Sequence, residues 1–568
     1  MTVTRRGLAV HASILAAVLV LGLLLVERDV GFTPDEGGYA LGAETIADGS
    51  WTTDWRFAEV DPTGRHLPSG EGEFLSNGKY LPQARQLAWP AALGGAERFA
   101  PGSLAVRLLS LISVIVGACV AWALARRLGA PRAAPWAFWI TVSSPLLPNG
   151  YMLWAHAPET ALAGIAALAV VVLLDEERST WWWTLALVAA ATGGAAIRSE
   201  GVLYAVALGG VLGLVGLVRR SRRLVISAVL AGAAAAAAVL ADEALYSSIV
   251  GGGPGHQGIE SRDRGGAWLD GRLNGTGRVL IEGALDSRPA NVLMVLALGL
   301  VVLAVVSLRG EPASRAPSRV TAGFLLAAAA VLMVRIVVAP DDPAAGVLVA
   351  WPVCAFAALA LRGARSTGAK VMIASSGLFV IGVLLTQYDN GGGTQWGARY
   401  LSPIVVPVAV LAAVVISDRV ERRSIAGALV AVLAVTGVGG WFITDQFRRD
   451  NADAIASIDR SGADVVLISE DGYRARFDWQ AWSDRQWVAA NGDLAGALDV
   501  LRRAGVTQAT AIEVPPGELE AAGAVLGEIV DQAPLVQRFT VGPTNRRADP
   551  PPAQGPISNV RSQVVAPG

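Results

Sequence analysis

Two adjacent carboxylates, Asp35 and Glu36, follow the first long apolar run of the chain, in the stretch GFTPDEGGYA of residues 31–40. Thr33 and Pro34 can cap and start a helix at this point. The dipole at a helix start stabilises nearby carboxylates and favours their ionised form. An ionised carboxylate can act as a general base, which predicts a catalytic role for the pair. The alternative is that the two residues only cap the helix.

Further residues that could hold a ligand lie in the same polar region. Tyr39 would lie one helical turn from Asp35, on the same side of the predicted helix. The stretch SNGKYLPQARQLAWPAALGG, residues 76–95, adds three more candidates: Lys79, Tyr80 and Arg85. Basic side chains at the depth of lipid headgroups suit a phosphate group. They could also only anchor the chain at the membrane interface by extending their charged ends towards water.

A third polar cluster is YDNGGGTQWGARY, residues 388–400. Its three consecutive glycines permit close approach of the backbone, and Trp396 and Tyr400 suit a membrane interface. Arg399 is the only basic residue in this stretch and needs an anionic partner. The sequence leaves two partners open, an anionic ligand and Asp389.

Two more pairs of polar residues lie at the ends of apolar runs. His156 and Glu159, in LWAHAPET, are spaced i, i+3 and would share one face of a helix, as a proton relay or as metal ligands. A divalent metal is therefore possible, although the sequence offers no evident third or fourth ligand. Arg198 and Glu200, in AIRSEG, either contribute to a site or pair with each other.

These residues must be positioned by helices that cross a bilayer. The 568 residues are 53% hydrophobic and only 16% charged, and a helical span needs roughly 20 apolar residues. The sequence predicts about thirteen spans, in the following ranges: 8–26, 103–124, 135–150, 157–174, 181–197, 201–218, 224–246, 290–308, 320–338, 345–361, 371–387, 401–417 and 424–443. The expected fold is a polytopic α-helical membrane protein.

The distribution of arginine predicts the orientation of these spans. With the N-terminus in the cytoplasm, the inner loops carry most of the base, including these residues: Arg126, Arg127, Arg132, Arg219, Arg220, Arg222, Arg223, Arg309, Arg315, Arg319, Arg362, Arg365, Lys370, Arg419, Arg422 and Arg423. The short outer segments have almost none, as the positive-inside rule requires. A first outer loop, residues 27–102, should be partly helical and functional because structureless loops of this length are uncommon.

Beyond residue 445 the composition becomes that of a soluble domain. Residues 446–541 are expected to form a small extracytoplasmic α/β domain. The segments DVVLI, VTQATAIEV and LVQRFTV are predicted strands, while DLAGALDVLRRAG and PGELEAAGAVLGEIV are predicted helices. The proline-rich residues 542–568 are expected to be a disordered tail.

Composition also excludes some partners. A net charge of −1, with no basic face beyond the loop clusters, argues against a nucleic-acid partner. Cys119 and Cys354 lie inside apolar runs and are expected to pack as small hydrophobic residues.

Three motifs in order along the chain resemble one family. TPDEGGYALGAETIADG resembles the DE…Y signature in the first outer loop of the membrane-embedded GT-C glycosyltransferases, in the branch of the protein O-mannosyltransferases and the aminoarabinose and polyprenyl-sugar transferases. NGKYLPQARQLAWP is similar to the GKY-PP- segment of that branch, with the proline pair reduced to Leu81-Pro82. WGARYLSP is similar to its late G-RYL-P segment. The resemblance covers roughly residues 1–445.

The resemblance implies a GT-C-like enzyme in a bacterial plasma membrane, with chemistry at the extracytoplasmic face. Its donor would be a polyprenyl-phosphate-linked sugar, its acceptor a hydroxyl of a glycan, lipid or protein, and its stereochemistry inverting. Asp35 would be the general base, with Glu36 beside it. Lys79, Arg85 and Arg399 would hold the donor phosphate.

Two other classes of protein fit a chain of this kind. A transporter would carry ionisable residues deep within its spans and broken helices in paired halves, whereas here the notable polar groups cluster at one face. A non-catalytic assembly protein of the cell envelope would use the outer α/β domain to bind a partner.

Overall fold

The computed structural model of the protein describes the residues in the following ranges: 2–26, 30–33, 35–68, 73–82, 86–100, 103–175, 180–251, 266–284, 287–308, 316–363, 366–386, 395–419, 423–469, 485–532 and 535–541. Pro34, Arg85, Asp389 and the predicted tail 542–568 lie outside these ranges.

Ten helices within the described ranges are long and apolar enough to cross a membrane. They are α1 (Thr2–Leu25), α4 (Ser103–Arg127), α7 (His156–Leu173), α9 (Ser199–Val218), α10 (Arg222–Val250), α12 (Arg288–Ser307), α13 (Ala316–Val338), α16 (Thr367–Thr386), α17 (Val405–Arg419) with the 3₁₀ turn Arg399–Ile404 before it, and α18 (Arg423–Ser461). The polytopic helical fold predicted from the sequence is therefore the fold of the described chain.

The other three predicted runs are helical but shorter. Run 181–197 is α8 (Trp181–Ile197), with 17 residues. Run 135–150 divides into α5 (Ala134–Val142) and α6 (Leu146–Asn149), and run 345–361 divides into α14 (Val347–Ala350), a 3₁₀ helix (Pro352–Leu359) and α15 (Ala360–Gly363). Pro145 and Pro352 stand at the two breaks, where proline interrupts helical hydrogen bonding. Within the described ranges, ten of the thirteen predicted spans are thus long helices, and the other three are shorter or divided helices.

Helix α7 lies at the centre of the bundle, since 83% of its residues are buried. Its first residue, His156, lies at the polar end of the bundle. Small residues allow its neighbours to approach closely. A Cβ atom on Gly201, at the start of α9, would lie only 2.3 Å from the carbonyl oxygen of Gly194 near the end of α8. This close contact fixes the sharp corner that carries Arg198, between α8 and α9.

The first outer loop is partly helical, as predicted, and it also contains a small sheet. It includes α2 (Asp35–Ala47), β1 (Thr53–Asp54), β2 (Glu73–Phe74), β3 (Lys79–Leu81) and α3 (Ala88–Phe99). Helix α11 (Gly266–Ile281) lies elsewhere, between α10 and α12. The three strands are antiparallel in the order β1-β3-β2. Helices α2 and α3 pack directly on each other at Gly94. A Cβ atom on Gly94 would lie only 2.7 Å from the Ile46 side chain, so the absence of a side chain there permits the close contact.

The C-terminal unit contains a five-stranded mixed sheet. Its elements are β4 (Val465–Ile468), β5 (Gln486–Ala489), α19 (Leu494–Arg503), β6 (Gln508–Ile512), α20 (Pro516–Ala521), β7 (Val525–Gln532) and β8 (Leu535–Thr540). The strand order is β5-β4-β6-β8-β7, with β5, β4 and β6 parallel and β8 antiparallel to both of its neighbours. Strand β5 was not predicted from the sequence, since QWVA is too short to show a period.

The predicted helix over residues 516–530 is wrong in its second half. Helix α20 ends at Ala521, and Gly523 then adopts a left-handed backbone with φ of +86°. Residues Val525–Gln532 then form β7, which pairs with β8. The segment VLGEIVDQ has β-branched residues and a glycine that lower its helix propensity, so pairing with an existing strand decides its conformation.

The C-terminal unit packs on the first outer loop. Trp55, Phe57 and Leu67 of the loop share one buried core with Val465 and Leu498 of the unit. Helix α18 runs without interruption for 39 residues from the membrane region into the unit, across the predicted boundary at residue 445. The loop that begins with Asp35 and the C-terminal unit therefore lie at the same end of the bundle.

Candidate active site at one end of the bundle

An ion pair joins two of the residues predicted from separate parts of the sequence. Arg399 Nη1 donates to Asp35 Oδ2 over 2.9 Å, and the two side chains are only 14% and 21% exposed. Asp35 is the first residue of α2, where the helix dipole favours a negative charge. A guanidinium at this distance also favours the ionised form of the carboxylate. The pair thus places a charged carboxylate beside a fixed positive charge.

The backbone around Arg399 is held in an unusual conformation. Gly397 and Ala398 both have positive φ, of 71° and 55°. A Cβ atom on Gly397 would lie 2.1 Å from Pro145, so only glycine fits there. The Gly397 amide donates to the Ala344 carbonyl over 2.8 Å, and the Arg399 amide donates to Gln395 Oε1 over 2.8 Å. These contacts fix the direction in which the Arg399 side chain leaves the 3₁₀ turn.

Aromatic rings enclose the Arg399 guanidinium. Its central carbon lies 4.8 Å from the centroid of the Trp154 ring and 5.3 Å from that of Tyr400. Arg399 Nη2 is 3.5 Å from the Tyr400 hydroxyl. Arg399 Nε and Trp154 Nε1 are buried and have no hydrogen-bond partner among the residues that the structure describes. Two buried donors near Asp35 are therefore unsatisfied among the described residues.

Glu36 lies next to Asp35 but faces the protein interior. Its side chain is fully buried, and its Oε2 accepts hydrogen bonds from the backbone amides of Phe32 and Thr33. Its Oε1 accepts from the backbone amide of Leu153 over 2.8 Å. The Thr33 hydroxyl, expected to cap the helix, has no partner within the described ranges. Glu36 instead reaches back to the two backbone amides before α2 and fixes the helix against the segment that carries Trp154.

Arg198 and Glu200 form a pair, one of the two alternatives left open by the sequence. Arg198 Nε and Nη2 each donate to one Glu200 oxygen over 3.0 Å. Burial opposes the charge of Arg198, but the carboxylate of Glu200 outweighs that effect and holds the Arg198 pKa well above its usual range. Tyr39, which is 3% exposed, lies close enough to Arg198 to interact with its charge.

His156 and Glu159 are fully buried beneath this layer of polar residues. His156 Nδ1 lies 3.8 Å from Glu159 Oε2, which also accepts a hydrogen bond of 2.5 Å from the Ser402 hydroxyl. Both ring nitrogens of His156, and Glu159 Oε1, lack a hydrogen-bond partner in the described part of the chain. No three metal-ligating side chains come together within that part. Within the described residues, the contacts of the two side chains are thus the His156–Glu159 approach and the hydrogen bond from Ser402.

The structure does not bring Lys79 and Tyr80 to Asp35. Lys79 Nζ lies 3.9 Å from Asp54 Oδ1, and both Lys79 and Tyr80 line a separate cleft together with Leu41 and Glu44 of α2. At 100° per residue, Leu41 and Glu44 lie about 240° and 180° around α2 from Asp35. The cleft is therefore on a different face of α2 from Asp35. Arg399 is thus the predicted phosphate-binding residue that stands beside Asp35, whereas Arg85 lies outside the described residues.

Several residues of the site were not predicted from the sequence. Trp154, Gln395 and Ser402 each contact a predicted residue, and each lies within six residues of one along the chain. Arg107 and Arg448 both donate to the carbonyl oxygen of Tyr151, over 2.8 and 3.0 Å, and so hold the loop before Trp154. In the sequence, both are arginines near the end of an apolar run, and this position is the signal that could have identified them.

Comparisons with known proteins find similarity to solved structures but not to any family model or curated sequence. No protein-family model matches the sequence, and no curated protein matches it. The chain is similar to the crystal structure of ArnT from Cupriavidus metallidurans in the apo state, with a TM-score of 0.49 and 13% identity, over 95% of this chain and all of that one. It is also similar to the oligosaccharyltransferase AglB from Archaeoglobus fulgidus in complex with an inhibitory peptide and a dolichol-phosphate, with a TM-score of 0.46 and 14% identity, over 90% and 70% of the two chains. ArnT and AglB are GT-C membrane glycosyltransferases.

Proposed function

We propose that this protein is a membrane glycosyltransferase that moves a sugar from a polyprenyl-phosphate donor to an acceptor hydroxyl, with Asp35 as the general base. The observation that carries the proposal is the largely buried ion pair between Asp35 and Arg399. It combines a carboxylate that can accept a proton with a guanidinium that can bind a phosphate oxygen. Both lie at the end of the helical bundle where a lipid-linked donor would present its phosphate.

The proposed reaction is a single displacement. The acceptor oxygen attacks the anomeric carbon of the donor sugar from the face opposite to the phosphate, and its proton goes to Asp35. The bond between the anomeric carbon and the phosphate oxygen breaks, and the electron pair leaves with the polyprenyl phosphate. The products are an inverted glycoside and polyprenyl phosphate.

Arg399 stabilises the transition state through the charges that change during this step. Asp35 loses its negative charge when it takes the acceptor proton, while the leaving phosphate gains negative charge. The positive charge of Arg399 is therefore neutralised less by Asp35 and is available to the phosphate at the moment when the bond breaks. An interaction that strengthens in the transition state lowers the barrier, and a preorganised one costs little reorganisation.

The surrounding residues have positioning roles in this proposal. The rings of Trp154 and Tyr400 pack against the guanidinium and hold it in place. Glu36 fixes the start of α2, and with it the carboxylate of Asp35, through three backbone amides. The buried pairs Arg198–Glu200 and His156–Glu159 support the floor of the site.

We also propose that the site faces the extracytoplasmic side, with residues 1–445 as the transferase domain and 446–541 as an outer domain. The arginine-rich loops support a cytoplasmic N-terminus. The shared core between the first outer loop and the C-terminal unit supports one side for both. The membrane would be a bacterial plasma membrane.

Incubation of the purified protein with radiolabelled polyprenyl-phosphate sugars and a panel of glycan, lipid and peptide acceptors tests the proposal. Release of polyprenyl phosphate together with a labelled product is the expected result. Binding of the donor without any turnover would instead indicate a non-catalytic assembly protein, and uptake of label into sealed vesicles would indicate a transporter.

A further inference from the structure

A second cavity lies between the first outer loop and the C-terminal unit. Its volume is about 480 Å³, within the range of roughly 300–1,000 Å³ that is usual for small-molecule sites. Three segments form its walls: the last turns of α2, the strands β1 and β3 with the chain beside them, and the start of β5. We call it the α2 cleft.

The α2 cleft lies on the other side of α2 from the candidate active site. Its α2 residues are Leu41, Glu44 and Thr45, which fall between about 180° and 280° around the helix from Asp35, and Asp48 directly follows the helix. Glu44 is nine residues from Asp35, or about 13 Å along the helix axis. A ligand in the cleft therefore does not contact the Asp35–Arg399 pair and occupies a site of its own.

The charges of the cleft balance each other. Three acidic and three basic side chains line it: Glu44, Asp48, Asp54, Arg56, Lys79 and Arg485. Burial lowers the pKa of Arg485, which is held by an ion pair with Asp459. A wall with equal numbers of both charges attracts neither a polyanion nor a polycation. It suits a neutral ligand with many groups that both donate and accept hydrogen bonds.

Buried polar atoms in the wall also lack partners. Trp55 is 8% exposed, and its Nε1 has no hydrogen-bond partner among the described residues. The same holds for Oε1 of Gln486, at the start of β5. A buried polar group without a partner is costly, so one donor and one acceptor in the wall are unsatisfied until something supplies their hydrogen bonds.

An extended peptide fits the cleft less well than a carbohydrate. Peptides commonly bind by adding a strand to an open sheet edge. Here β1 has only two residues, and the backbone of Ala489 at the end of β5 is already used by the loop. Its amide donates to the His66 carbonyl over 2.8 Å, and its carbonyl accepts from His66 Nδ1 over 2.9 Å. Side chains rather than strand edges dominate the wall.

We propose that the α2 cleft binds a neutral oligosaccharide, as an exosite for the part of the acceptor that is remote from the reacting hydroxyl. The name acceptor rests on the proposed transferase function, whereas the binding of a neutral glycan does not. Binding energy from such a remote part of a substrate can position the reacting group. Long acceptors would then have a lower KM than short ones.

The test measures glycan binding by the full-length protein in lipid nanodiscs, without a donor. The probes are linear hexasaccharides of glucose, mannose, galactose and arabinose, each with its monosaccharide as a control, and binding is followed by calorimetry. At least one hexasaccharide is expected to bind and its monosaccharide is not. Glu44→Gln and Asp48→Asn, both exposed carboxylates of the cleft, should each weaken binding about tenfold.

Asp499→Asn is the matched control, because Asp499 lies on α19 outside the cleft and pairs with Arg503. It should bind the hexasaccharide as the parent does, and so should Asp35→Asn. Failure of every hexasaccharide to bind, equal binding by the cleft variants and the parent, or displacement of the glycan by an unstructured peptide would overturn the exosite. Glycan binding by a protein that transfers no sugar would overturn the transferase function and leave the exosite standing.

Discussion

Asp35 and Arg399 are 364 residues apart in the sequence and form an ion pair of 2.9 Å at one end of the helical bundle. The pair connects the start of α2 in the first outer loop with the 3₁₀ turn that leads into α17. Trp154, from a third segment, covers the guanidinium. Three segments that are distant in the sequence thus converge on one carboxylate.

Replacing Arg399 should weaken the binding of the donor phosphate. A hydrogen bond to a charged group contributes about 1.5–3 kcal/mol, so we expect Arg399→Ala to lower the affinity for polyprenyl phosphate by roughly one to two decades. Arg399→Lys should restore only part of it, because an ammonium lacks the planar fork that the two rings enclose. Equilibrium binding of radiolabelled polyprenyl phosphate measures both changes.

Lys79→Ala serves as the comparison for these variants. Lys79 lines the α2 cleft and not the site of the Asp35–Arg399 pair, so its loss should leave polyprenyl-phosphate affinity unchanged. If Lys79→Ala and Arg399→Ala weaken binding equally, the donor phosphate does not bind where the pair lies.

Glu36 should affect stability more than donor binding. Its two oxygens accept three hydrogen bonds from backbone amides, and Glu36→Gln would replace one oxygen with a donor that faces those amides. The expected cost is about 1–3 kcal/mol, seen as a lower temperature of thermal unfolding in detergent. The exposed Glu520→Gln should not change it. A stable Glu36→Gln protein without activity would return Glu36 to a direct catalytic role.

The orientation of the chain is testable by labelling. Single cysteines at Thr63 in the first outer loop and at Glu518 in the C-terminal unit are exposed positions at the same end of the bundle. Both should react with an impermeant thiol reagent in intact cells. A cysteine at Ser366, exposed in a predicted inner loop, should react only after permeabilisation. Reaction of Ser366→Cys in intact cells, without reaction at the other two, would reverse the orientation.

Much of the fold could be predicted because hydrophobic length is a strong signal. All thirteen apolar runs are helical, and the errors lie where proline divides a run, as at Pro145. The helix predicted over 516–530 failed because pairing with β8 outweighs the weak local preference of VLGEIVDQ. Local pattern carries no information about such pairing.

The residues of the site were easier to predict than their partners. Arg399 was noticeable as a lone base on a side poor in base, but the sequence suggested Asp389 or a ligand as its partner. Contacts across 364 residues depend on how the helices pack. Lys79 was predicted to bind the phosphate together with Arg399 because both are basic. The sequence does not show that Lys79 lies on the other side of α2.

The most direct test of the account compares Asp35→Asn with the parent in one assay of initial transfer rate and one of donor binding. General-base catalysis contributes about 100- to 10,000-fold, so the account predicts a loss of that size in rate. Donor binding should persist or tighten, because Arg399 no longer has a negative partner. An Asp35→Asn protein that transfers sugar at the parent rate would contradict the account.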